Sequence, residues 1–155
     1  MDKKVIDKKT MGRRSRAAGK LFENNVRHDL ESRGWIVCKW TNTVDLKSGK
    51  LMQAKSKYNP FLKRVMNEGS GLPDYIAYMP TDNYNIIGVE AKKGKYLDAE
   101  EKKMIQWLLN NKVFPAIYVA YPDTLKIFCK GKKKTITYMK IENGNTKTET
   151  KTDSM

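Results

Sequence analysis

The sequence has little to make a metal-thiolate or disulfide scaffold. It holds two cysteines, Cys38 and Cys129, no Cys-x-x-Cys, and a single histidine, His28. A structural zinc site needs four such ligands at characteristic spacing, so none is expected. The two thiols suit a reducing, cytoplasmic compartment and read as buried structural cysteines. His28 lies one position off an apolar row and reads as structural or surface. No apolar run approaches the roughly 18 residues of a spanning helix, and no signal-peptide pattern opens the chain, so no membrane partner is expected. There is no internal repeat. Acid is scarce as well: 17 Asp and Glu face 31 Lys and Arg, a formal charge of +14. That imbalance calls for a polyanionic partner, nucleic acid first and an anionic membrane surface second. What remains is ordinary globular material. A hydrophobic content of 39%, with three Trp, eight Tyr and four Phe in 155 residues, suffices for one domain with a core.

The stretch from Gly69 to Lys95 organises the chain. Two short apolar runs, Tyr75–Met79 and Ile86–Val89, flank a polar Pro/Asp/Asn segment, the pattern of a β-hairpin with a longer loop. Asp74 follows a proline and opens the first run, and Glu90-Ala91-Lys92 closes the second. Residues two apart on a strand share a face, so Glu90 and Lys92 project together, and an antiparallel partner brings Asp74 beside them. Two carboxylates and an ammonium at one hairpin end can hold a divalent cation and a water. The plainer alternative is a hairpin with a solvated acid and a Glu/Lys pair on its outer face.

Residues 1–16 carry Lys3, Lys4, Lys8, Lys9, Arg13, Arg14 and Arg16 among few apolar residues and read as a flexible basic arm. A helix follows over 17–33, with Ala18, Leu21, Phe22, Val26 and Leu30 at helical spacing and Gly34 as its stop. Glu23 sits at the border of that apolar arc, with Arg16, Lys20 and Arg27 following round the same border. It either looks toward a site where helix meets sheet or makes a surface ion pair. Residues 35–40 form a strand. The connection 41–70 is basic, with Lys47, Lys50, Lys55, Lys57, Lys63 and Arg64 interleaved with Tyr58 and Phe61. Its spacing allows a strand over 43–46, a helix over 51–58 and a short helix over 61–66. It grips DNA, makes a dimer contact, or is a solvated insertion. After the hairpin, Asp98 and Glu101 have capping-box spacing before a helix that ends at Asn110-Asn111. The apolar run Val113–Tyr121 reads as a strand buried on both faces, parallel to the Glu90 strand through a βαβ crossover. A terminal hairpin pairs 125–129 with 135–139 across Lys130–Lys134, and 143–155 reads as a polar disordered tail.

In this order the chain resembles the PD-(D/E)xK nuclease superfamily over roughly residues 17–121. The resemblance is carried by Ala18-Gly19-x-x-Phe22-Glu23, Gly71-Leu72-Pro73-Asp74, Val89-Glu90-Ala91-Lys92, and the helix that Leu97-Asp98 opens before an apolar strand. Within the superfamily it is similar to archaeal Holliday junction resolvases and to VRR-NUC domains. The latter often carry a glutamine near the position of Glu101. The connection 41–70 is longer than in the resolvases. The resemblance implies an α/β, restriction-endonuclease-like core of αβββαβ order over 17–142, with a mixed central sheet flanked by helices. It implies a Mg²⁺- or Mn²⁺-dependent DNA endonuclease, acting on branched DNA as a homodimer near the nucleoid. Glu23, Asp74, Glu90 and Lys92 would be catalytic, and Asp74, Glu90, the Ala91 carbonyl and Glu23 would hold the metal. Arg13, Arg14, Arg16, Lys20, Arg27, Lys55, Lys57, Lys63, Arg64 and Lys93 are the candidate DNA contacts. The alternatives are a restriction-type or VRR-NUC-like nuclease for duplex, flap or single-stranded DNA, and a non-catalytic basic nucleic-acid-binding protein on the same fold.

Overall fold

The computed structural model describes residues 7–53, 55–61, 63–68, 71–80, 85–94 and 96–137. The expected disordered tail over 143–155 lies outside them. The core is a six-stranded sheet with a helix on each face. In chain order the elements are α1 (Lys8–Ser32), β1 (Ile36–Lys39), β2 (Asn42–Asp45), β3 (Lys50–Gln53), β4 (Lys55–Asn59), β5 (Arg64–Glu68), β6 (Tyr75–Met79), β7 (Asn85–Ala91), α2 (Ala99–Asn110), β8 (Ala116–Ala120), β9 (Thr124–Cys129) and β10 (Lys132–Thr137). The sheet order is β1-β6-β7-β8-β9-β10, and only β7 and β8 run parallel. It is therefore an α/β fold with a mixed sheet, as expected, and the crossover through α2 gives the expected parallel pair.

The two faces of the sheet divide the apolar residues. On one face, Ile105, Leu108 and Leu109 of α2 pack with Leu97, Phe114, Ile117, Val119 and Val44. On the other, Val26 and Leu30 of α1 cover Val37, Tyr75, Ala77, Ile87 and Val89. The α1 face is the thinner one: none of the 25 residues of α1 is fully buried. A groove of about 420 Å³ remains between α1 and the sheet, lined by Leu21, Phe22, Val89, Lys93, Tyr118 and Leu125 among others.

Several expectations are corrected. The basic stretch 8–16 is helical, because α1 begins at Lys8 rather than at residue 17. Lys, Arg, Met and Ala are good helix formers, and extending an existing helix avoids the cost of nucleation. The connection 41–70 has no helix among its described residues. It makes two hairpins, β2–β3 and β4–β5, in two-stranded sheets of their own. Turn chemistry decides the first: Asp45 accepts from the Lys47 amide and the Ser48 hydroxyl, and Gly49 takes φ +63. The terminal hairpin turns at Lys130-Gly131, with Gly131 at φ +71, so β10 starts at Lys132 within the expected loop. Cys38 is exposed and Cys129 half-buried, both free, so neither is the buried core thiol expected. His28 is on the surface, 3.5 Å from Glu31.

Two glycines seat the segment that delivers Asp74. A Cβ on Gly71 would lie 2.4 Å from the Asn42 carbonyl oxygen, and one on Gly88 would lie 2.8 Å from Cγ of Pro73. Pro73 is fully buried, and a pyrrolidine ring cannot swing aside as a flexible chain can. Gly88→Ala should therefore lower unfolding free energy by about 1–3 kcal/mol, the usual cost of overpacking. Urea denaturation measures it, and a midpoint equal to that of the parent would show the Pro73 contact to be slack.

Candidate active site

Three elements converge at the carboxyl end of β7. The register Tyr75↔Val89 sets Asp74 opposite Glu90. Their backbones and side chains then cross. The Asp74 amide donates to Glu90 Oε2 at 3.1 Å, and the Ala91 amide donates to Asp74 Oδ2 at 3.0 Å. Both carboxylates are buried, at 6% and 5% exposure, and these are the only buried charged residues among those described. Lys92 Nζ lies 3.0 Å from Glu90 Oε1 and also donates to Glu101 Oε1. The Lys92 amide donates to the Ala120 carbonyl at 2.8 Å, which fixes the root of that side chain to β8.

Glu101 has two duties. Its Oε2 accepts the Asp98 amide while Asp98 accepts the Glu101 amide, so the capping box forms as expected. Its other oxygen then holds Lys92, so the first turn of α2 braces the ammonium. Lys39, at the end of β1, comes within 3.5 Å of Asp74 Oδ1, with its ammonium 4.8 Å from the Tyr75 ring centroid. Neither Lys39 nor the Lys92 contact of Glu101 was expected. Capping-box spacing pointed to Glu101 but not to its second partner.

The electrostatics follow from burial. Desolvation, and then the charge of Asp74, push the Glu90 carboxyl up to about 7 in spite of Lys92. Burial favours neutral Lys92, but the hydrogen bond to Glu101 and the charge of Glu90 overrule it and raise its pKa. Lys92 is thus a firmly protonated cation, a donor and not a base. Glu23 is half-buried and its pKa is raised, first by burial and then by Asp74, with Lys39, Lys20 and Lys92 acting against the shift. Glu23, at the border of α1, is thus within electrostatic reach of the pair.

The chain matches no family model, no curated protein and no solved structure.

Among the described residues no three acids, histidines or cysteines form a metal cage, so Glu23 does not close on Asp74 and Glu90 as a third ligand of one compact set. The pair still fits a hard divalent ion. Mg²⁺ commonly takes one or two carboxylates and completes its shell with water and substrate phosphate. Even with Lys92 and Lys39 beside the pair, burial and the Asp74 charge drive Glu90 toward protonation, and a divalent ion would offset both.

The candidate DNA contacts divide. Arg13, Arg14, Arg16 and Lys20 are exposed along α1, and Lys63 and Lys93 are exposed as well. Lys93 lines the groove beneath α1, across the sheet from Lys92. Arg27 is engaged with Glu31 at 2.8 Å. The side chains of Lys55, Lys57 and Arg64 lie outside the described part of the structure.

The Glu90 shift has a consequence for stability. Its folded pKa lies above the usual value of 4.5, so the folded protein holds a proton that the unfolded chain has released. The stability advantage of wild type over Glu90→Gln is fully present below about pH 4.5 and should fall by roughly 1–3 kcal/mol as pH rises to about 7. Urea midpoints of both proteins across that range, in EDTA, measure it. A difference that is flat with pH would contradict the shift.

Proposed function

We propose that this protein is a metal-dependent DNA endonuclease of PD-(D/E)xK type on a restriction-endonuclease-like core. The observation that carries the reading is the buried Asp74–Glu90 pair, crossed by mutual backbone hydrogen bonds, with a protonated Lys92 bound to Glu90. Asp74, Glu90 and the Ala91 carbonyl would hold Mg²⁺ or Mn²⁺, with Glu23 at the rim of the site. A bound divalent ion lowers the pKa of its water and offsets charge on the phosphate. Lys92, braced by Glu101, donates a hydrogen bond and so can orient the attacking water or stabilise a phosphoryl oxygen. Lys39 is half exposed above Asp74 and can meet the incoming phosphate. The basic face of α1 supplies sequence-independent grip. Two symmetric copies would set such sites against opposing strands of a branched DNA.

Cleavage of labelled four-way junction, flap, duplex and single-stranded DNA tests this, in Mg²⁺ and in EDTA. Mg²⁺-dependent cuts leaving a 5′-phosphate support it. Tight binding of all four with no cut in Mg²⁺ or Mn²⁺ would move the assignment to a non-catalytic nucleic-acid-binding protein.

A further inference from the structure

Beside the acidic pair lies a cluster that the cleavage chemistry does not use. Tyr96 and Tyr121 have ring centroids 5.9 Å apart at an interplanar angle of 49°. The ammonium of Lys126 sits in the angle between them, 4.7 Å from one centroid and 4.9 Å from the other. Tyr121 is buried. Tyr96 is 79% exposed. Among the described residues no carboxylate pairs with Lys126, so the rings position its charge without neutralising it.

The cluster is rigidly related to the site. Glu90 opposes Val119, and Val119 opposes Lys126, so the three lie in one row across three strands. At the usual strand spacing, the row sets the Lys126 backbone about 10 Å from that of Glu90. Tyr121 directly follows Ala120, whose carbonyl holds the Lys92 amide. Tyr96 stands two residues before the N-cap of α2, the helix that braces Lys92.

The geometry points to a seat for one unpaired nucleotide, with its base stacked on the open face of Tyr96 and its phosphate met by Lys126. This deepens the nuclease reading and rests on it. The chemistry selects the ligand. An exposed aromatic face beside a cation offers stacking to a π-surface and attraction to an anion, and a nucleotide supplies both. Bases within a continuous duplex already stack on their neighbours and have no free face. A seat a short step from the cut therefore favours DNA with an unpaired nucleotide there: a flap, a single strand, or a junction opened at its branch.

The test is equilibrium binding of full-length protein in EDTA to a labelled oligothymidine single strand and to a blunt duplex of equal length. Tyr96→Ala should weaken single-strand binding by about ten- to hundredfold and leave duplex binding within about twofold. Tyr96→Trp should keep or tighten it. Lys126→Ala should lower the salt slope on the single strand by about one. Tyr96 is exposed, so unchanged melting curves should accompany both Tyr96 variants, and the Lys126→Ala slope is read beside its own melting curve. Equal binding by Tyr96→Ala and parent, or equal loss on both DNAs, would overturn the seat. The two readings fail separately. A parent that cuts DNA without the Tyr96 contrast refutes the seat alone, and a parent that never cuts but shows the contrast refutes the nuclease alone.

Discussion

Asp74→Asn, Glu90→Gln and Lys92→Ala should each slow Mg²⁺-dependent cleavage by about 10²-fold or more, with DNA affinity held within about threefold. The asymmetry comes from where each group sits. Asp74 and Glu90 are buried at the end of β7, so they have no part in a general grip on the phosphate backbone. The amide substitutions preserve shape. Each new side-chain amide can still present an oxygen to the backbone N–H group that donates to Asp74 or Glu90 in the parent. What the substitutions remove is charge, and charge is what a divalent ligand set requires. Removal of one negative charge facing the phosphates should even tighten DNA binding in EDTA.

Lys92→Ala differs in kind. It leaves Glu90 and Glu101 without their shared cation, and an uncompensated buried charge is costly. Its rate is therefore read beside a melting curve and a DNA affinity. Glu101→Gln is the milder companion: it keeps an acceptor for the Asp98 amide while weakening the hold on Lys92, so its rate should fall between parent and Lys92→Ala. Lys93→Ala is the internal control. Lys93 is exposed on the α1 side of the sheet, and its loss should leave the rate nearly unchanged. Parent-like cleavage by Asp74→Asn and Lys92→Ala would remove the chemistry from this site.

The parts of the site that were legible in the sequence are those set by local period. Two short apolar runs about a polar loop pointed to an antiparallel hairpin, and a hairpin with its ends at Asp74 and Glu90 leaves those residues opposite each other. The Asp98/Glu101 spacing is equally local. Lys39 was invisible because its place depends on which strand β1 joins, and the pairing Lys39↔Tyr75 is a tertiary choice. The second duty of Glu101 depends on how closely α2 approaches β7, a packing matter. Residues 51–66 misled for another reason. Leu51, Ala54 and Tyr58 have helical spacing in the sequence, but short runs of this kind are decided by turn chemistry and neighbours. The stretch 8–16 misled through composition, since a segment without an apolar stripe reads as disordered unless a neighbouring helix carries it on.

That helical extension changes what the basic stretch should do, and it bears on the largest expected effect in binding. Dissociation constants for duplex DNA should rise by about 10³-fold or more between 50 and 200 mM salt if six or more phosphates are contacted. Lys8, Lys9, Arg13, Arg14, Arg16 and Lys20 are all exposed on α1, and no acid stands among residues 8–22. No residue of this half of the helix is fully buried, and its six cations stand on the exposed side where they can meet phosphate. Cations at a helix N-terminus also oppose the helix dipole, and the N-cap Asp7 makes no side-chain cap bond. An anion laid along this end relieves both costs. DNA binding should therefore raise helical ellipticity as well as occupy charge, which a flexible tail already extended on DNA would not do. Replacing Arg13, Arg14 and Arg16 together by Gln should lower the slope of log K against log salt by up to about 3. The same triple variant should cut as fast as the parent at saturating DNA, because none of the three reaches Asp74 or Glu90. The measurement is fluorescence anisotropy at four or more salt concentrations, with ellipticity at 222 nm followed in parallel. A slope near zero for the parent, or an unchanged slope in the triple variant, would take the phosphate grip away from α1.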